Sequence, residues 1–441
     1  MLKVDKIFLA YDIRGKNITT HEAFLVGRAI GSFFTGTCFV GRDSRETSPQ
    51  LAEHLIEGLR SSGINVTVGG LMPGPACYYK TMGNFDCGVY VTASHLPPEY
   101  NGFKIILRDG SSIDPSDLQK ISSIFANFDF KKEEPVPVKE DITALNDYCR
   151  FLEKTFGRKN VKCIIDCFNG ATSVISKRVF SMLLDAKTIN DAPLPDFGGK
   201  DPEPSKSNLK MLQQEVLRNN ALFGVGLDGD GDRSVFVDEK GNVIDGNRMT
   251  MLFAKHLLLK HKGVIVAPVS ISRLLETKIV RPLGGKVVWC KVGHTFIEKE
   301  LLRNNAIFGG EFSCHFYWNE FFPYSDGIFS SLMLAKILSE TGKTLSELLS
   351  ELPQVYVVKG EVEFPSHNEK ERVASILIQK YLKAHPDALT MDGIKFKDSN
   401  AYILIRPSMT RHTVKVFVEA ENEELAKAKL EEYISIVQSI S

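Results

Sequence analysis

The residues best suited to chemistry lie in one hexapeptide, Asp228-Gly229-Asp230-Gly231-Asp232-Arg233. Three carboxylates at alternate positions repel one another, which predicts a cation among them. An all-oxygen donor set favours a hard ion such as magnesium. The two glycines let the backbone curl until the carboxylates point to one place. The arginine that follows suits an anion bridging to that metal, such as a phosphate. Two other readings are weaker. A surface Asp-Gly turn has no need of three aspartates in alternation. A calcium loop would take Asp228, Asp230 and Asp232 as its first, third and fifth ligands, with Glu239 at the twelfth place. It requires glycine where Arg233 stands, and helices on both sides, whereas 222–227 and 234–238 are short β-rich runs.

Three further loops carry reactive groups. Thr92-Ala93-Ser94-His95-Leu96-Pro97-Pro98 follows an apolar strand pattern, and Asn101-Gly102-Phe103-Lys104 comes just after it. Ser94 beside His95 invites a hydrolase reading, but neighbours in a turn rarely face each other and no Gly-x-Ser-x-Gly elbow is present. Gly309-Gly310-Glu311-Phe312-Ser313-Cys314-His315 ends another strand pattern. Arg406-Pro407-Ser408-Met409-Thr410-Arg411 offers two hydroxyls and two guanidinium groups, either as a phosphate cradle or as an ordinary hairpin loop. Taken together, a serine, a three-aspartate metal site, a lysine and arginines are the parts for phosphoryl transfer. No P-loop or kinase motif set supplies a nucleotide donor. A serine that itself carries the phosphate would fill that role. In Gly41-Arg42-Asp43-Ser44-Arg45, by contrast, both arginines are expected only to cap and salt-bridge the start of a helix.

The elements that must position these loops alternate between strand and helix. Strands are expected at 7–11, 38–40, 65–68 and 87–91, with helices at 21–33 and 48–62. Charge and proline at 131–139 mark a linker. A helix at 144–156, a strand at 161–166 and a helix at 208–217 lead to the aspartate strip. A third unit has strands at 263–267, 286–289 and 306–308 and helices at 273–280 and 295–302, with the loop Lys291-Val292-Gly293-His294 between. An internal repeat supports this division: Arg218-Asn219-Asn220-Ala221-Leu222-Phe223-Gly224 before the strip matches Arg303-Asn304-Asn305-Ala306-Ile307-Phe308-Gly309 before Glu311, with Leu for Ile as the one difference. Strand ends of such units are where α/β proteins bind ligands. From about Lys359 the pattern changes to strands at 360–364, 401–405 and 414–420 with helices at 369–382 and 423–437. The expected fold is therefore α/β: three similar α/β domains (1–140, 141–247, 248–356) with mixed sheets, plus a smaller C-terminal α+β domain (357–441), around one central cleft.

The whole chain bounds the partners. At 441 residues and 43% hydrophobic content, several domains with sizeable cores are expected. Basic and acidic residues balance at 54 each, so no global field for nucleic acid or membrane arises. No apolar run reaches membrane-spanning length, and the first residues lack a signal-peptide core, so a cytoplasmic location is expected. The eight cysteines are scattered, as small buried thiols would be.

The chain resembles the α-D-phosphohexomutase superfamily, nearest its phosphomannomutase/phosphoglucomutase branch, over essentially its whole length. Thr92–His95 with Asn101-Gly102-x-Lys104 resembles the phosphoserine loop, and Asp228–Arg233 is similar to the metal loop at every position. Gly310–His315 resembles the sugar-binding loop, and Arg406-Pro407-Ser408-x-Thr410 the phosphate-binding loop. Tyr11-Asp12-Ile13-Arg14-Gly15 and Lys291–His294 also match. The resemblance implies a reversible 1-to-6 phosphate shift on mannose or glucose phosphate through phospho-Ser94, with a hexose 1,6-bisphosphate as intermediate and activator. Glucosamine phosphate ranks second as substrate, and a non-catalytic sugar-phosphate-binding or metal-binding homologue is the rival from another class. It implies Mg²⁺ on Asp228, Asp230, Asp232 and the Ser94 oxygen. Arg14, Lys104 and Arg233 would attend the phosphoryl group, with Lys104 or His95 moving a proton. Tyr11, His294, Glu311, Ser313 and His315 would bind the substrate, and Arg406, Ser408 and Thr410 its other phosphate. The sequence departs from the pattern at Leu96, Met409, Arg411 and His412, and at Ile271, where a lysine is common.

Overall fold

The computed structural model describes residues 7–9, 11–319, 321–408 and 411–440. Thr410 of the expected phosphate loop, and its neighbour Met409, lie outside the described residues. The chain forms two compact bodies, residues 1–246 with 313–349, and residues 247–312 with 350–441.

The first body opens on a six-stranded mixed sheet, in the order Ile13–Lys16, Tyr100–Leu107, Cys87–Val91, Thr37–Arg42, Asn65–Leu71 and Lys139–Glu140. Helix Thr20–Phe33 begins with a capping box: Thr19 accepts from the Glu22 amide and Glu22 accepts from the Thr19 amide, satisfying two donors that a helix start leaves open. Its apolar face, including Val26 and Ile30, is buried with Leu55 and Leu59 of helix Ser48–Arg60 and Val40 and Val89 of the sheet. Two expectations change here. The strand expected at 7–11 is displaced to Ile13–Lys16, where Arg14 stands opposite Gly102. Residues 101–104, expected as loop, belong to the strand Tyr100–Leu107, because pairing on both edges overrides the turn character of Asn-Gly.

A second mixed sheet in this body runs Ser234–Asp238, Phe223–Leu227, Lys162–Asp166, Asp185–Ile189. The strip leaves the end of Phe223–Leu227 and re-enters as Ser234–Asp238, its antiparallel neighbour. Residues 313–349 add the hairpin Phe316–Trp318 with Phe322–Ser325 and the helix Gly327–Thr341, whose Asp326 cap accepts from the Phe329 amide.

In the second body Lys286–Cys290, Val264–Pro268 and Phe308–Gly310 are parallel. The helix expected at 273–280 is a short π-helical segment, Leu275–Val280. The last domain has the antiparallel order Tyr356–Glu363, Thr413–Ala420, Ala401–Pro407, Ile394–Asp398, and Val373 and Leu377 of helix His367–Ala384 and Val437 of helix Glu423–Gln438 share a core with Ile403 and Val416 of the sheet. The internal repeat has a structural counterpart in each body. Asn220 and Asn305 both take left-handed backbone, and the amides of Ala221 and Ala306 return to the carbonyls of Val216 and Leu301. Each copy thus ends a helix with asparagine and turns it into a strand. All eight cysteines are buried and unpaired. Among the described residues no helix is long and apolar enough to cross a membrane.

Candidate active site

The strip in the first body curls as its glycines allow. Gly231 has φ +83°, a left-handed backbone that costs glycine nothing. A Cβ on Gly229 would lie 2.6 Å from the carbonyl oxygen of Ser94, so only glycine lets the two loops meet. One ligand atom from each of Asp228, Asp230 and Asp232 lies within 4.8 Å of the others, and all three residues are buried. Asp228 accepts from the amides of Gly231 and Arg233 through Oδ1, both at 3.1 Å, and from Ser94 Oγ through Oδ2 at 2.9 Å. Asp230 Oδ1 is buried with no hydrogen-bond partner. A buried carboxylate oxygen left over in a cluster of three fits a cation bound there.

Ser94 sits at φ +53°, a strained conformation for a residue with a side chain, at the end of the strand Cys87–Val91. Its amide donates to Thr92 Oγ1 at 2.8 Å, and that hydroxyl donates to Asp43. Arg45 holds the loop from beneath. Its guanidinium donates to the carbonyls of Ser94, Leu96, Pro97 and Tyr100 at 2.7–3.1 Å, while Nε pairs with Asp43 at 3.0 Å. The salt bridge expected of Arg45 is present, but its main work is to fix the serine loop, which sequence reading did not foresee.

Lys104 reaches across from its strand. Its Nζ is 2.7 Å from both Asp230 and Asp232 and 3.1 Å from the Tyr324 hydroxyl. Burial opposes its charge, yet the two carboxylates outweigh that cost and hold the ammonium well above its ordinary pKa. Burial, reinforced by Asp232 and Asp230, pushes the Asp228 carboxyl up. Burial would raise Asp232 too, but Lys104 and His315 hold it down. His315 Nε2 lies 3.2 Å from Asp232 and 3.3 Å from Arg233 Nε, and its Nδ1 is 2.9 Å from Ser313 Oγ. His95 Nδ1 is 3.4 Å from Ser94 Oγ, and burial with the charges of Arg233 and Arg14 keeps its imidazole well below the usual pKa. Arg14 pairs with Asp12 at 2.6 Å. Tyr11 belongs to the same body.

The second body holds His294, Glu311, Arg406 and Ser408. His294 opens the helix His294–Arg303. Asp392 accepts from Arg406 Nε at 2.9 Å and from the Val292 amide at 3.0 Å on one oxygen, so it ties the 291–294 loop to the arginine. Buried Lys370 donates to the Ser408 carbonyl at 2.7 Å, and the Arg411 amide donates to Ser408 Oγ at 3.3 Å. Glu311 is buried, and Phe312 packs edge-on against Phe417. Asp392 and Lys370 were not singled out in the sequence. The Asp-Gly pair Asp392-Gly393 was the one local signal available.

Fold and site together define an α/β protein with a serine set against a buried acidic loop. Family models carry the chain further: phosphoglucomutase/phosphomannomutase α/β/α domain I matches residues 5–132, domain II matches 140–241 and domain III matches 245–356. A phosphoglucosamine mutase of Methanococcus maripaludis strain C7 is 32% identical over 98% of this chain and 99% of its own. A phosphomannomutase of Methanocaldococcus jannaschii is 32% identical over 98% of both chains. A solved phosphoglucomutase/phosphomannomutase family protein from Burkholderia thailandensis superposes with a TM-score of 0.90 at 26% identity, covering 99% of this chain and 97% of that one. The chain belongs to the phosphoglucomutase/phosphomannomutase family within the α-D-phosphohexomutase superfamily, and it is a phosphohexomutase, an isomerase.

Proposed function

We propose that the protein moves a phosphate reversibly between C1 and C6 of an aldohexose phosphate through phospho-Ser94 and a hexose 1,6-bisphosphate. The observation that carries this is the Ser94 hydroxyl, 2.9 Å from the first aspartate of a buried three-carboxylate cluster. In the forward half-reaction the bond between Ser94 Oγ and phosphorus breaks as one forms to the free sugar hydroxyl. The hydroxyl proton passes to His95, whose imidazole is neutral, while Lys104, held as an ammonium by Asp230 and Asp232, would donate to the phosphoryl oxygens. The bisphosphate then turns over and returns its other phosphate to Ser94. Asp228, Asp230 and Asp232, with the phosphoserine oxygen, would hold Mg²⁺, which neutralises phosphoryl oxygens when bound. Arg14 and Arg233 would attend the transferring group. Tyr11, His294, Glu311, Ser313 and His315 would fix the sugar, and Arg406, Ser408 and Thr410 the phosphate at rest. A free hexose 1,6-bisphosphate would act as activator by charging Ser94. The division into domains at 140, 247 and 356 belongs to the same reading, supported by the three matched stretches.

For the sugar, the loop residues rank mannose or glucose ahead of glucosamine. The names of the relatives favour glucosamine phosphate: phosphoglucosamine mutases outnumber phosphomannomutases among them. We therefore place glucosamine phosphate first and mannose and glucose phosphates beside it. The test has two parts. Incubation with glucose 1,6-bisphosphate should add about 80 Da, one phosphoryl group, to the peptide holding Ser94. Ser94→Ala should lose turnover on every sugar phosphate while still binding them. Phosphate found only on another residue would sink the mechanism, and the relative kcat/KM on the three sugars ranks the substrates.

A further inference from the structure

Tyr324 lies outside every loop that marks the family's chemistry, yet its hydroxyl enters the centre of the site. It donates to Asp232 Oδ2 at 2.8 Å and accepts from Lys104 Nζ at 3.1 Å. Lys104 donates to that same Asp232 oxygen at 2.7 Å, closing a three-membered ring of ammonium, phenol and carboxylate. The ring plane of Tyr324 stacks on Tyr78, with centroids 3.4 Å apart and planes 12° from parallel, and the Tyr78 hydroxyl is 3.0 Å from Ser112 Oγ. Both tyrosines are buried, Tyr78 on the helix Gly74–Thr81 and Tyr324 on the strand Phe322–Ser325. A stacked, buried phenol has little rotational freedom, so its oxygen is a fixed point.

The consequence follows from counting donors and lone pairs. Asp232 has two carboxylate oxygens. Oδ2 is occupied by the Tyr324 hydroxyl and Lys104, so Oδ1, which has His315 Nε2 beside it at 3.2 Å, is the oxygen that keeps lone pairs for a further partner. Lys104, drawn by two carboxylates, gains a neutral third partner that stops it from sinking between them, where it would compete with a cation for the same charge. We propose that Tyr324 is a positioning residue for the phosphoryl-transfer site: its hydroxyl orients Asp232 toward the metal and holds the Lys104 ammonium at the edge of the aspartate cluster. This inference rests on the function proposed above for that cluster.

The test is Tyr324→Phe, which keeps the ring and its stack and removes one oxygen. The expected result is a loss in kcat of about tenfold, the scale of one hydrogen bond to charged groups, with the KM for hexose phosphate unchanged within about twofold. Binding of Mg²⁺ alone to the unphosphorylated protein, read by calorimetry, should weaken by about tenfold, as when groups that orient metal ligands are removed. Tyr78→Phe removes the neighbouring hydroxyl from the same stack and should leave Mg²⁺ affinity as in wild type. The inference is overturned if Tyr324→Phe matches wild type in kcat and Mg²⁺ affinity, or if KM rises while both are unchanged, which would assign the hydroxyl to the sugar. It is also overturned if Tyr78→Phe weakens Mg²⁺ binding equally, which would make the effect one of packing. A wild-type protein that binds no Mg²⁺ and turns over no sugar phosphate would instead defeat the function proposed above, and this inference with it.

Discussion

The first body buries Lys104 and the second buries Lys395 as well as Lys370, and Lys104 and Lys395 are held in opposite ways. Lys104 faces carboxylates, Asp230 and Asp232 at 2.7 Å each, and its charge is strengthened. Lys395 faces backbone: it donates to the carbonyls of Val269 and Ile271 at 2.9 and 2.6 Å, over the face of Trp289. Its nearest carboxylate, Glu419, stands 3.8 Å away and already accepts from Ser272. Burial pushes the Lys395 pKa down to about 8. The difference teaches what each region lacks. The aspartate cluster presents three carboxylates, two of them to one ammonium, so positive charge is stabilised there. Around Lys395 no carboxylate dominates, and the ammonium serves as a donor that locks two stretches of chain together. The resemblance leads one to expect a lysine at 271. Here Ile271 is buried, and the ammonium beside its carbonyl comes from the last domain.

The strongest way to break this contrast is to remove charge from the cluster. Asp230→Asn deletes one carboxylate facing Lys104 and the oxygen that has no partner of its own. A neutral amide oxygen is a weaker ligand for a hard divalent ion than a carboxylate, so kcat should fall by at least about 10²-fold at saturating Mg²⁺, with the Mg²⁺ requirement shifted upward. Steady-state rates across a Mg²⁺ titration check this. Full wild-type activity after exhaustive chelation would show that the cluster has no need of a cation.

A smaller effect is expected in the second body. Arg406 is held by Asp392 through Nε, which leaves the outer guanidinium nitrogens to grip a phosphate in a fork. Arg406→Ala should cost about 10²-fold in kcat/KM, since remote binding energy also positions the reacting end. A sugar lacking the resting phosphate should react poorly with wild type and lose little further in the variant. Equal rates for wild type and variant on sugar phosphates would move the cradle elsewhere. Arg411, a largely exposed arginine 3.5 Å from Glu361, would be the next candidate.

These regions were unequally legible in the sequence. The aspartate strip could be read because its ligands are contiguous and their mutual repulsion is a local fact. Ser94 and Lys104, 134 and 126 positions from Asp228 and Asp230, could be grouped with it by the strand-end pattern, and only the resemblance gave them roles. Arg45, Tyr324, Lys370 and Asp392 escaped for a shared reason. Each acts on a loop distant in the chain, and its surroundings read as something ordinary: a helix start, an apolar strand, an amphipathic helix, a turn. The strand Tyr100–Leu107 escaped because its partners lie on two other segments, and no local propensity announces them. The repeat at 218–224 and 303–309 was visible for the opposite reason, because its left-handed asparagines and returning amides are local devices.

The least effect, and the one that tests the contrast itself, concerns how stability follows pH at Lys395. An unfolded lysine titrates near 10.5, whereas Lys395 in the fold titrates at about 8. Below pH 8 both states carry the proton, and the fold bears the full cost of a buried charge. Between pH 8 and 10.5 the folded amine is neutral while the unfolded one still binds its proton. Unfolding then takes up a proton, and stability therefore rises with pH across that window. Lys395→Met has no such group. The difference in unfolding free energy, wild type minus variant, should increase from pH 7.5 to pH 10 by on the order of 2 kcal/mol. Other titrations are shared by the two proteins and cancel in the difference. Urea unfolding of both at each pH, followed by far-UV circular dichroism, gives the comparison. Parallel curves would mean that Lys395 keeps its ordinary pKa and that Glu419, at 3.8 Å, pairs with it more fully than that distance implies. Lys104 and Lys395 would then be alike, and the contrast between the bodies would rest on the aspartates alone.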